Sequence, residues 1–138
     1  AVLAALLVAG TLVTAAGPHS GDAATPRLSL GVETTAQIHV DLLFAYLGLL
    51  VGLGFALRAA SAPRGLQRRY AVLMAVVLAQ GALGGIQYAL GVPEVLVSLH
   101  VLGAALTTVA AAAVWAGTVE RPQSAGVAQE ARPEPALA

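Results

Sequence analysis

The chain has no cysteine and no lysine, and charged residues make up only 10% of its 138 residues. Without cysteine it cannot form a disulfide bond, an iron–sulfur cluster or the C-x-x-C-H attachment of a c-type haem. Seven arginines balance seven acidic residues, so the zero net charge provides no long-range attraction to nucleic acid. Soluble domains carry about 25% charged residues, so this deficit indicates a surface that faces lipid.

Apolar residues take the place of those charges, at 58% of the chain and a mean hydropathy of +0.82. A membrane-spanning helix needs about 20 apolar residues. Residues 36–57, 70–90 and 94–117 meet that length and are predicted to be helices, whereas the first apolar run, 1–16, is too short. We expect that first helix to be truncated. A signal peptide is the alternative, but it would need a basic n-region, and no basic residue precedes Arg27.

Turn and capping signals separate these runs. Gly17-Pro18 ends the first run, and the Thr34-x-x-Gln37 pattern has the form of a capping box at the start of the second. A tight reversal is predicted at 91–93, where Pro93 suits a first helical turn. The sequence therefore predicts an all-α, membrane-embedded four-helix bundle over residues 1–117. The tail, 118–138, has three prolines and mixed charge and is expected to be disordered and cytoplasmic.

Arginines indicate how the bundle is oriented in the membrane. The 58–69 connector holds four of them and no acidic residue. The positive-inside rule places such a connector in the cytoplasm, and the C-terminus with it. Two glycine pairs, Gly48-x3-Gly52 and Gly81-x3-Gly85, are predicted to permit close packing of helices.

The helices are expected to form two hairpins related by a parallel pseudo-repeat, as in other membrane bundles. The second helix of each hairpin carries a histidine near its outer start, in the matching cores Ile38-His39-Val40 and Leu99-His100-Val101. His39 lies about three residues inside its predicted helix and His100 about six, so at about 1.5 Å per residue their depths differ by about one turn. Helix tilt would absorb that difference.

Ionisable residues inside membrane helices are costly and rare, so each of the two histidines is a functional candidate. Two neutral imidazoles facing each other across a bundle are suitable axial ligands for a haem iron. The sequence therefore predicts His39 and His100 as metal ligands and a haem of the b type as cofactor. The alternative is that each histidine hydrogen-bonds to a neighbour. Zinc fits less well, because there is no cysteine and no third ligand at a suitable spacing.

Other residues are predicted to surround the haem. Small residues near His100 would leave room for a flat macrocycle, and Gly103 is the first of them. Tyr46 shares a helical stripe with His39, and Gln87 would lie at the level of the haem. Arg27, the sole arginine on the outer side, is a candidate partner for a haem propionate.

The remaining polar residues keep more than one interpretation. Gln80 is expected to bridge helices. Asp41 projects about 200° from His39 around a helix with 3.6 residues per turn and is either a boundary carboxylate or a proton acceptor. His19 is assigned to the outer loop. No catalytic acid–base pair, nucleophile or phosphate loop appears, so the catalytic residues are predicted as none and any redox step would belong to the cofactor.

Four stretches together resemble the haem A synthase family in its actinobacterial form. They are GTLVTAAGPHSGD (10–22), QIHVD (37–41), QGALGGIQY (80–88) and VPEVLVSLH (92–100). That family has eight membrane helices in two similar halves, each with two histidines, and this chain resembles the C-terminal half. The resemblance implies an oxidoreductase that converts haem O to haem A by oxidising a ring methyl to a formyl group. It also implies that His39 and His100 bind haem b.

The same resemblance implies a multi-pass protein of a bacterial plasma membrane, with both histidines near the outer face. It also implies partners. Haem O would bind to the N-terminal half, which this chain lacks, so the chain alone is expected to be inactive. Haem O synthase and terminal oxidase assembly factors are candidate partners besides membrane lipid, and a homo-oligomer stays open. Two rival readings remain, a non-enzymatic bis-His cytochrome b that transfers electrons and a structural or transport subunit without haem.

Overall fold

The computed structural model describes residues 1–18, 24 and 26–119, and the regular secondary structure among them is all α-helical. Four α-helices follow one another: α1 (Val2–Ala16), α2 (Val32–Ala59), α3 (Arg64–Ala89) and α4 (Glu94–Val119). The prediction of an all-α four-helix fold is confirmed. Residues 118 and 119, assigned to the tail, belong to α4 instead, and the rest of the predicted tail lies outside the described residues, as does His19.

Two helix starts differ from the prediction. Helix α2 begins at Val32, after Gly31 in an extended conformation, and no side chain caps it, so the predicted Thr34–Gln37 capping box is wrong. Glu33 in the first turn favours this earlier start, because a carboxylate is stabilised at the positive end of the helix dipole. Helix α3 begins at Arg64 rather than at residue 70. Its first turns are polar, but arginine, leucine and glutamine all have high helix propensity.

The turn between α3 and α4 is as tight as predicted and places two residues in the left-handed region. Gly91 has φ +73° and Val92 has φ +62°. The Val92 amide donates a hydrogen bond of 2.7 Å to the Gln87 carbonyl, which caps the end of α3. A β-branched residue is strained at this φ, whereas glycine is not.

Substitutions at Val92 and at Gly91 should therefore change the thermal stability in opposite directions. We expect Val92→Gly to raise the thermal midpoint of the detergent-solubilised chain, because left-handed φ costs a non-glycine residue about 1–2 kcal/mol, partly offset by the looser unfolded state. Gly91→Ala should lower the midpoint for the same reason. Circular dichroism melts would measure both, and a destabilised Val92→Gly variant would contradict the strain.

The helices pack as two hairpins, α1 with α2 and α3 with α4, and the hairpins meet mainly through α2 and α3. A small core of buried side chains lies at their centre: Leu6, Tyr46, Leu50, Leu73, Val77, Ala110 and Val114. The outward faces are apolar. Phe44, Phe55 and Trp115 are 67%, 71% and 69% exposed, which in water would be a large exposed apolar surface. Helices α2, α3 and α4 are long and apolar enough to cross a membrane, and α1 is shorter.

The glycine pairs do not pack as predicted. A Cβ added at Gly48, Gly52 or Gly85 would meet nothing within 4 Å, so three of the four glycines face outward. Gly81 alone of the four has a neighbour, because its Cβ would lie 3.3 Å from Leu43 Cδ2. Four-residue spacing places two glycines on one face of a helix, but it does not determine which face the partner helix covers.

The described charges are separated along the bundle. Glu33 and Glu94 lie in the first turns of α2 and α4, and Asp41 lies two residues after His39 on α2. We call this end the histidine end. The opposite end, called the arginine end, comprises the last turn of α2 and the first turns of α3. It carries Arg58, Arg64, Arg68 and Arg69. This separation agrees with the sequence assignment of the two faces to opposite sides of a membrane.

Candidate functional site: the paired histidines

His39 and His100 come together between the two hairpins. Their ring centroids are 6.4 Å apart and their planes make an angle of 71°. His39 lies seven residues after Val32, the start of α2, and His100 six residues after Glu94, the start of α4. The predicted one-turn difference in depth is therefore wrong, because the earlier start of α2 brings the two histidines to nearly the same position in their helices.

A backbone carbonyl favours one tautomer of neutral His39. Its Nδ1 lies 3.0 Å from the carbonyl oxygen of Leu6 on α1. A carbonyl only accepts hydrogen bonds, so neutral His39 carries its proton on Nδ1 and donates it to Leu6. Nε2 is then left with a free lone pair. Metal-binding histidines commonly use a hydrogen bond of this kind to set the tautomer and the ring orientation.

His100 lacks the equivalent bond. Its Nδ1 is buried and has no hydrogen-bond partner among the described residues. The neighbouring Gln80 on α3 donates from Nε2 to the His100 carbonyl at 3.4 Å, a long bond, while Gln80 Oε1 is buried without a partner. Buried unpaired polar atoms are costly, so this half of the site has unsatisfied hydrogen-bonding capacity next to the imidazole.

Each imidazole packs against a glycine of the preceding helix. A Cβ at Gly10 on α1 would lie 3.0 Å from His39 Cε1, and a Cβ at Gly84 on α3 would lie 3.2 Å from His100 Cε1. Both distances are tighter than ordinary side-chain contacts. The absence of a Cβ at these two positions therefore lets each ring sit directly on its neighbouring helix.

The histidines line a partly open cavity of about 50 Å³. Gly84 follows Gly10 by 74 residues, and the same offset relates the cavity-lining residues of α1 to those of α3. These pairs are Leu3 with Val77, Leu6 with Gln80, and Leu7 with Gly81. His100 follows His39 by 61 residues, and that offset also relates Leu43 to Ala104, which both line the cavity. The predicted pseudo-repeat therefore organises the site.

The other predicted site residues do not all lie at the cavity. Tyr46 is buried in the core, 8% exposed, and does not line the cavity. Gln87 is half-buried on α3, and its Oε1 has no partner among the described residues. Gly103 faces the Gln80 amide rather than the cavity, since an added Cβ would overlap that amide. Its role is to admit Gln80 between the helices, so the space predicted there for a macrocycle is already filled.

Two charged residues at the histidine end have local partners. Arg27 is exposed, and its Nη2 donates to the Pro18 carbonyl at 2.8 Å. Its contact with a propionate stays a prediction. Asp41 is exposed and accepts a bond of 2.8 Å from Gln37 Nε2, one turn earlier on α2. Asp41 is thus paired within its own helix at i, i+4 spacing, and both interpretations of its role stay open.

Four participants in the site were not predicted from the sequence. They are the Leu6 carbonyl, Gly10, Gly84 and Gln80 as a cavity residue. The glycines could have been found by asking which residues of the first helix of each hairpin face its histidine. The carbonyl could not, because every residue has one.

The arrangement is chemically suited to holding one metal between two imidazoles. Two imidazoles on opposite sides of one metal would have ring centroids about 6 Å apart, because each metal–nitrogen bond is about 2 Å and each nitrogen about 1 Å from its ring centre. The observed 6.4 Å agrees. No cluster of three or more His, Cys, Asp or Glu side chains occurs among residues 1–18, 24 and 26–119.

These features define the class of the protein: a multi-pass helical membrane protein, built of two hairpins, with a pair of facing histidines between them. Comparison with protein-family models, with curated proteins and with solved structures finds no match to this chain.

Proposed function

We propose that the chain binds one haem of the b type, with His39 and His100 as its two axial ligands. The observation that carries the proposal is the facing of two imidazoles from different hairpins at a centroid distance of 6.4 Å. His39 supports it further, because its Nδ1 is tied to a carbonyl and its Nε2 keeps a lone pair. A pair of histidines that only bonded to their neighbours would account for the Leu6 bond of His39, but not for the unpaired Nδ1 of His100 among the described residues.

The donor set fits a haem, but the volume between the histidines requires adjustment. Drug-sized ligands occupy pockets of roughly 300–1,000 Å³, and the cavity between the histidines has about 50 Å³. A porphyrin therefore needs the apolar side chains around the two imidazoles to move aside, whereas the imidazole spacing of 6.4 Å already suits one iron. The hairpins meet mainly through α2 and α3, so few contacts between them oppose such a rearrangement.

Each residue has a defined part in this proposal. His39 and His100 hold the iron, and Leu6 orients His39. Leu43 and Val77 help to exclude water from the cavity. The haem supplies one-electron redox chemistry when bound, and its potential would depend on the axial ligands and the apolar surroundings. No charged side chain lines the cavity.

We further propose, from the sequence resemblance, that this haem module is the C-terminal half of a haem A synthase-like oxidoreductase in a bacterial plasma membrane. The paired-histidine hairpins and the pseudo-repeat support that reading. Haem O would bind to the other half, and haem O synthase and oxidase assembly factors would be partners of the complete enzyme. In this reading the histidine end faces outward and the 58–69 connector faces the cytoplasm.

One observation favours the alternative, a non-enzymatic electron-transfer cytochrome b. The cavity between the histidines is small, and none of the described residues that line it is acidic, so it has no space for a second macrocycle beside the first. The chain alone would then do no more than bind haem and pass electrons.

Haem O conversion distinguishes the two functions. The chain and a longer protein that joins it to the proposed N-terminal half would each be expressed in cells that make haem O but no haem A, and haems would be extracted and separated by chromatography. The oxidoreductase reading predicts haem A from the complete protein and none from this chain. Failure of a complete, haem-loaded protein to form haem A would leave the cytochrome reading.

Gly84→Ala should alter the bound haem without removing a ligand. The new Cβ would push on His100 Cε1, 3.2 Å away, and tilt the imidazole, so we expect several-fold weaker haem binding and a shifted reduction potential. Gly85→Ala is the matched control, because its Cβ meets nothing within 4 Å. Haem titration and redox potentiometry measure both. If Gly84→Ala and Gly85→Ala had the same haem affinity and reduction potential, Gly84 would not be needed to seat the His100 ring.

A further inference from the structure

An open groove of about 450 Å³ lies at the arginine end, between α2 and α3 and far along the helices from the histidines. Its volume falls in the range of roughly 300–1,000 Å³ typical of small-molecule sites. One wall is apolar, and the mouth carries the polar groups. The residues that line the groove include Val51, Phe55, Leu57, Arg58, Gln67 and Tyr70.

Tyr70 gives the groove a fixed wall. Its hydroxyl donates a bond of 3.0 Å to the Leu50 carbonyl on α2, and its ring lies against Gly54, where a Cβ would overlap it. The side chain therefore ties α3 to α2 at the back of the groove. Phe55 is 71% exposed on the other side, so an apolar ligand portion would meet an aromatic surface there.

Among the residues that the structure describes, the charge at the groove mouth is positive. Arg58 lines the groove, and Arg64 and Arg68 lie nearby in sequence on the first turns of α3. The sequence from residue 58 to residue 69 contains no acidic residue, and neither does the whole of α3. The described carboxylates all lie at the histidine end. An anion is therefore the complementary partner for this end of the bundle.

We propose that the groove binds an anionic phospholipid, with its phosphate at Arg58 and one acyl chain along Phe55 and Val51. The chemistry combines a charge-assisted contact at the mouth with an apolar wall that continues along a membrane helix. A free phosphate would leave that wall unoccupied, and a neutral lipid would leave the arginine charge unbalanced. The site is independent of the haem and goes beyond the proposed function.

A lipid titration tests the site. Purified chain in a neutral detergent would be titrated with phosphatidylglycerol, and the rise in thermal midpoint followed by circular dichroism. We expect a saturable rise that phosphatidylcholine does not give and that inorganic phosphate does not reproduce. Arg58→Gln should weaken the apparent lipid affinity about tenfold, in line with the loss of one close phosphate contact.

Matched variants distinguish lipid binding in the groove from a general effect of positive surface charge. Arg64→Gln removes the same charge from the same end but lies outside the groove, so it should keep most of the affinity. Ala71→Phe would fill the groove without changing charge and should lose the response, whereas Ala75→Phe, exposed on α3 outside the groove, should keep it. Equal losses in Arg58→Gln and Arg64→Gln, the same shift with phosphate alone, or no shift with phosphatidylglycerol would each overturn the proposal.

Discussion

Replacement of either histidine by alanine should abolish the low-spin spectrum of the haem-reconstituted chain. With both imidazoles present, the proposed haem iron would have two strong nitrogen ligands and would be low-spin. Removing His100 or His39 would leave five-coordinate iron, which is high-spin, and the sharp reduced-minus-oxidised bands should broaden and shift. We expect haem affinity to fall by at least about tenfold. A tenfold change in affinity corresponds to about 1.4 kcal/mol, and the loss of one iron–imidazole contact should cost at least that much.

Two additional variants separate ligation from folding. Added imidazole should restore the low-spin spectrum of His100→Ala, because it fills the space left by the side chain. His100→Met should stay low-spin but show a higher reduction potential, as thioether ligation does. His19→Ala, in the predicted loop, is the control and should match the unsubstituted chain. Unchanged spectra in both alanine variants would show that the histidines are structural.

Gly103→Ala should be among the most destabilising single substitutions in the bundle. An added Cβ would overlap the Gln80 amide, which lies between α3 and α4 and donates to the His100 carbonyl. Either the Gln80 side chain would have to leave the space between α3 and α4 and lose its hydrogen bond to the His100 carbonyl, or α4 would have to shift away from α3. Overpacking of this kind costs about 1–3 kcal/mol, which should lower the thermal midpoint measured by circular dichroism.

Gly48→Ala is the matched control for that substitution. Gly48 is exposed in the middle of α2, and its Cβ would meet nothing within 4 Å. Alanine is favoured over glycine inside a helix by about 1 kcal/mol, so this variant should be neutral or stabilised. If Gly103→Ala were as stable as Gly48→Ala, the placement of Gln80 across α4 would be wrong.

Much of the fold could be predicted from the sequence because its signals are local. Long apolar runs define the helices, and Gly17-Pro18 and Gly91–Pro93 end them through backbone constraints that act over a few residues. The starts of α2 and α3 were missed for a related reason. Hydropathy marks the apolar part of a helix, whereas Arg64 and its neighbours extend α3 through polar residues of high helix propensity.

The site was only partly predictable. Two histidines at corresponding positions of two similar hairpins indicated that they would face each other, and their rings do lie together. Their partners depend on contacts between residues far apart in the chain. Gly10 lies 29 residues before His39, and nothing in its neighbourhood distinguishes it from Gly48, which faces outward. Whether a glycine packs or is exposed is determined by how the helices rotate against each other.

Electron paramagnetic resonance of the ferric, haem b-reconstituted chain tests the central claim most directly. The angle between two axial imidazole planes sets the splitting of the iron d orbitals, and steeply crossed planes leave two of them nearly degenerate. With planes at 71°, we predict one low-spin haem per chain, with the strongly anisotropic signal that crossed imidazoles give. A high-spin signal, or no haem uptake by the folded chain, would contradict ligation of one iron by His39 and His100.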